Sequence, residues 1–108
     1  MRTSPHDPLK AFFLSGTGVA HYYAHRYEEG VEWAKKAVRE RPEFAAAWRI
    51  LCANLAQAGK TAELRQSLDK LLQVQPNISI AWIEKYVPYT DRAMPHFLDG
   101  MRKAGVPE

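Results

Sequence analysis

Apolar residues recur along this chain at helical spacing, in segments cut by proline, glycine and short polar runs. Residues 8 to about 24 carry Phe12, Phe13, Leu14, Val19, Tyr22 and Tyr23, and a turn is expected near His25-Arg26. Tyr27-Glu28-Glu29-Gly30 opens a second segment whose apolar side is Val31, Trp33, Ala34, Ala37 and Val38. Its acids lie in the first turn and Lys35, Lys36, Arg39 and Arg41 lie toward its end, both favourable to the helix dipole. In residues 43–58, Trp48, Leu51, Cys52 and Leu55 follow i, i+3, i+4, i+7 spacing, and Gly59 ends the helix in left-handed geometry. Thr61 can cap the next helix, with Leu64, Leu68, Leu71 and Leu72 as its buried stripe. Asn77 or Ser79 can cap a fifth helix bearing Ile80, Trp82, Ile83 and Tyr86. That helix stops at Val87-Pro88, because proline disfavours helix at the residue before it. Thr90 can cap a sixth, with Pro95 near its first turn, Phe97, Leu98, Met101 and Ala104 as its stripe and Gly105 at its end. The pattern predicts an all-α chain of about six helices.

These segments repeat. Pro8, Pro42 and Pro76 are 34 residues apart, and so are Trp48 and Trp82, with Leu14 one period earlier. Ala11, Ala45 and Ser79 fall in register, as do the small residues Gly18 and Cys52. Each period reads as helix, tight turn, helix. The units span about residues 9–42 and 43–76, followed by a degenerate pair over about 77–105 that seals the open end, all within a single domain, 1–108.

Trp48, Leu51 and Pro76 in the second unit, with Gly18, Tyr27, Ala37 and Pro42 in the first, resemble the signature of the tetratricopeptide repeat. Leu14 replaces the first tryptophan, and Thr17, His25 and Thr61 depart from the leucine, turn glycine and aromatic of that signature. The resemblance covers about residues 9–76. It implies an α-α superhelix of antiparallel helix pairs whose first helices line a concave groove for a protein or peptide. By that register the groove residues are Phe12, Ser15, Val19, Tyr22, Tyr23, Arg49, Ala53, Gln57, Ile83 and Tyr86. Chaperone-binding members hold a terminal carboxylate with Lys, Asn and Arg. The corresponding positions here are Ser15, Val19, Ala53, Ile83 and Val87, so no such clamp is expected. Residues 27–34, 87–91 and 100–108 are also similar to the C-terminal repeats of bacterial multidomain proteins that often carry a class III adenylate/guanylate cyclase domain, or a winged-helix domain, ahead of the repeats. That likeness implies a link to cyclic-nucleotide signalling without cyclase activity in this chain.

Composition sets bounds. The formal charge is +3 and the pI is near 9.1, but acids and bases alternate, as on a solvated helix face rather than a phosphate-binding stripe. Nucleic acid is therefore not expected as a partner. No apolar run approaches the ~20 residues of a membrane span, and residues 1–7 contain no apolar leader, so the expected location is cytoplasmic. One cysteine, Cys52, allows no internal disulfide and reads as a small core residue.

Three motifs offer chemistry and none completes it. His21 and His25 stand four apart, but Tyr22 occupies the position where a metalloprotease helix needs glutamate. Ser15-Gly16-Thr17-Gly18 lacks the Lys-Ser/Thr of a phosphate loop, so Gly18 is read as a point of close helix approach. Glu28 and Glu29 are helix-start residues. No metal, cofactor or catalytic site is expected. The expected function is a protein–protein interaction scaffold. The alternative is self-association, with Phe12, Phe13 and Tyr23 at a two-fold interface. The lack of a helix cap before Pro8 marks that end as the place for a partner or an upstream domain.

Overall fold

The structure, a computed structural model, describes residues 8–108. The expectations for residues 1–7, including the missing cap and leader, lie outside the described residues. Six α-helices make up the described chain, without strands: α1 (Pro8–Tyr23), α2 (Tyr27–Glu40), α3 (Ala45–Ala58), α4 (Thr61–Val74), α5 (Ile80–Tyr86) and α6 (Met94–Ala104). No described helix is long and apolar enough to cross a membrane.

The turns follow the local chemistry. α3 and α6 end at Gly59 (φ 73°) and Gly105 (φ 98°), each donating its N–H to a carbonyl three residues back. The residue after each donates five back, Lys60 to Leu55 and Val106 to Met101. This double bond satisfies carbonyls at a helix end and needs a left-handed residue. The end of α1 uses the same bonds, His25 to Tyr22 and Arg26 to His21, yet His25 holds the left-handed position at φ 61°. Ser79 caps α5, its Oγ accepting from the Trp82 N–H at 2.9 Å. Thr90 accepts from Ala93 N–H at 3.1 Å and so caps the turn that leads into α6. Thr61 is not a cap. α4 begins on it, after Lys60, which makes no side-chain capping bond. α3 starts at Ala45, later than expected, because Pro42 and Glu43 form a turn closed by Phe44 N–H to Arg41 O.

α3 is the hub, packing against α1, α2, α4 and α6. Its Ile50, Leu51, Cys52, Ala53 and Leu55 are all buried. Burial pushes the Cys52 thiol up to about 12, so it stays protonated as a core group. Gly18 lies against Gly30 and Ala34 of α2, the close approach that its sequence position suggested. Of the α4 leucines only Leu71 is fully buried, since α3 is the principal neighbour of that helix.

The third helix pair does not repeat the packing of the first two. The Val87-Pro88 break lets α6 turn back across α3, burying Phe97, Leu98, Met101 and Ala104. Its N-terminal end meets the last turn of α1, and a side chain at Gly105 would touch Leu68 of α4 at 3.5 Å. The tail then caps α5. Ile80 and Ala81 donate their N–H groups to main-chain oxygens of Pro107 (2.7 Å) and Glu108 (3.1 Å).

Candidate protein-docking surface

The ten residues assigned to the groove do not share one open surface. Tyr22, Tyr23, Ala53 and Gln57 come together, but beneath α6. Tyr22 is fully buried. Its hydroxyl donates to the His96 carbonyl at 2.6 Å and accepts from Gln57 Nε2 at 3.2 Å. Tyr23 donates to the Ala93 carbonyl at 2.8 Å. Gln57 also donates to Asp99 at 3.0 Å and accepts from Lys103 Nζ at 3.1 Å. Gly100 permits this approach. A Cβ there would collide with the Tyr22 hydroxyl and meet the Ala53 Cβ at 3.2 Å.

Burial raises the phenol of Tyr22 to about 12 and lifts those of Tyr23 and Tyr89 as well. His25 stacks on His96 at 4.9 Å, and the Tyr27 hydroxyl bridges them, 2.8 Å from His25 Nδ1 and 3.2 Å from His96 Nε2. Burial, then the neighbouring His25, holds His96 below the usual imidazole value. A non-glycine residue at left-handed φ costs on the order of 1 kcal/mol. His25 offsets that cost by tying the end of α1 to α6.

The remaining groove positions are scattered. Ser15 and Ile83 are buried and Val19 is half-buried. Arg49 donates to Gln75 Oε1 at 2.8 Å and lies 5.4 Å from the Trp82 ring. Tyr86 is exposed beside Trp82, on the short α5. The resemblance placed a free groove where this chain puts its own sixth helix. His96 and Gly100 carry that contact and were not singled out. A glycine inside the α6 apolar stripe was the available signal.

The open apolar surface lies on the other side of α1. Leu9, Phe12 and Phe13 are 62%, 60% and 65% exposed, and Gly16 and Ala20 beside them are exposed too. At 3.6 residues per turn these five fall within an arc of roughly 100°. Ala11, Ser15, Gly18 and Tyr22, on the opposite side, are buried. Gly16 makes no close approach among the described residues. A Cβ there would meet nothing within 4 Å, and its φ is not left-handed. A glycine in a helix interior costs about 1 kcal/mol relative to alanine, and packing among the described residues gives no return for it. No protein-family model, curated protein or solved structure matches this chain.

Proposed function

We propose that this chain is a protein-docking scaffold, a short helical-repeat module of the tetratricopeptide type, whose working surface is the outward face of α1. The carrying observation is that adjacent Phe12 and Phe13 each leave about three fifths of their surface in water. The comparably large Tyr22 and Phe97 are buried. Single exposed apolar residues are ordinary, but a contiguous apolar stripe on one helix face marks an interaction site. The helix pairs behind it support the scaffold reading, since α1 rests on α2 and α3 and presents the stripe on a rigid base.

Photo-cross-linking tests this. With benzoyl-phenylalanine in place of Phe13, a discrete protein adduct is expected in cells that express the chain. The same group at exposed Arg65 on α4 serves as control. No adduct from position 13, or the same diffuse adducts from both positions, would contradict the assignment.

A further inference from the structure

We infer that the occupant of the α1 face is a second copy of this chain, packed antiparallel, helix against helix, about a two-fold axis between Leu14 and Ser15. The inference rests on the reading of α1 as a docking face and names its partner. Three observations on that helix agree.

The first is shape. The exposed face is bulky in its N-terminal half, with Leu9, Phe12 and Phe13, and small in its C-terminal half, with Gly16 and Ala20. An antiparallel copy centred between Leu14 and Ser15 sets Phe13 level with Gly16 and Leu9 level with Ala20. Leu9 and Phe13 then each meet a small residue, twice over, as a self-complementary two-fold contact requires, while Phe12 flanks the seam. A parallel pair in register would set Phe13 against Phe13 and glycine against glycine. Gly16, beside open space among the described residues, lets the second backbone approach closely.

The second is charge. Lys10 is the only formally charged side chain of α1 at neutral pH, and it is paired with Glu40 at 3.6 Å. An antiparallel copy therefore places no like charges opposite one another. Among the described residues of the stripe, Leu9, Phe12, Phe13, Gly16 and Ala20, none carries a charge for an acidic or basic partner to select.

The third is area. Leu9, Phe12 and Phe13 together expose roughly 350–400 Å² at about 200 Å² apiece. With the flanks between them, two copies bury on the order of 1,000 Å² in total, the low end for a specific interface. The expected product is a reversible dimer with a micromolar dissociation constant.

Sedimentation equilibrium over roughly 1–500 µM chain tests this on wild type and two variants. Gly16→Leu adds a side chain where the protomer has open space, and Phe13→Glu changes an exposed residue, so both should keep wild-type helicity. The wild type is expected to show a monomer–dimer equilibrium, and each variant should weaken it at least tenfold. Mixing a Leu9→Cys chain with an Ala20→Cys chain should give the mixed disulfide dimer in preference to either like pair, while buried Cys52 stays unreactive. A wild type that is monomeric throughout, a Gly16→Leu dimer as tight as wild type, or preferential like-with-like disulfides would overturn the inference. A monomer that still gives a discrete position-13 adduct to a different protein overturns only the identity of the partner. A monomer with no adduct overturns the docking face as well.

Discussion

Asn54 is fully buried in α3, and its Nδ2 donates to the carbonyls of Ile50 (3.0 Å) and Gly18 (3.4 Å), while its Oδ1 has no hydrogen-bond partner among the described residues. The carboxamide fills the space that a Cβ on Gly30 would need. Glycine at that position is therefore set by Asn54 and not by backbone conformation. Gly30→Ala should destabilise the fold by about 2 kcal/mol, the overpacking cost outweighing the better helix propensity. In the Gly30→Ala/Asn54→Ala double variant the collision is gone. Urea denaturation should show the two changes coupled by at least ~1 kcal/mol, and strictly additive effects would refute the steric account. Tyr22 is the polar counterpart. Tyr22→Phe keeps the ring but leaves the His96 carbonyl and Gln57 Nε2 without this partner, at an expected cost of about 1–2 kcal/mol in the same assay.

At the scale of elements, the decisive contact is α6 lying across α3 and the end of α1, and pH reads its α1 side through the phenols and His96. Buried Tyr22 and half-buried Tyr23 and Tyr89 have phenols raised above 10.0 by desolvation, so the neutral forms are favoured in the fold. Their stabilisation is complete below pH 10 and is lost as pH rises through the folded values, about 12 for Tyr22. An alkaline titration should therefore show delayed phenolate absorbance that appears together with loss of helical circular dichroism. His96 has the opposite sign. Its value is lowered from 6.5, so its contribution is present above pH 6.5 and fades as pH falls through the folded value. Protection of α6 amides, corrected for intrinsic exchange, should fall between about pH 7 and pH 5 more than protection of α2 amides, and equal falls would show that His96 does not hold α6. A steric variant isolates the same contact. Gly100→Val should detach α6, seen as exposure of Tyr22 and fast exchange confined to the C-terminal third.

For the whole molecule, much of the architecture was legible in the sequence. Apolar spacing and the proline period marked all six helices, and Gly59 and Gly105 marked two of the three left-handed turns. The third turn falls on His25, whose role depends on His96, about 70 residues later, a contact that no local pattern encodes. The groove was not legible for a related reason. The resemblance implied a concave face on α3, but only tertiary packing decides that α6 lies across that helix. Of the open stripe, the sequence pattern marked Phe12 and Phe13 but not Leu9, Gly16 or Ala20. Their exposure became evident only once α2 and α3 were seen to use the other side of α1. The molecule thus closes one apolar face on itself and leaves another open. The most direct test is an amide NMR dilution series on the wild-type chain. Concentration-dependent shifts are expected at Phe12, Phe13, Gly16 and Ala20, with α4 and α6 unchanged. Spectra that do not change with concentration, or shifts centred on α6, would contradict a self-docking α1 face.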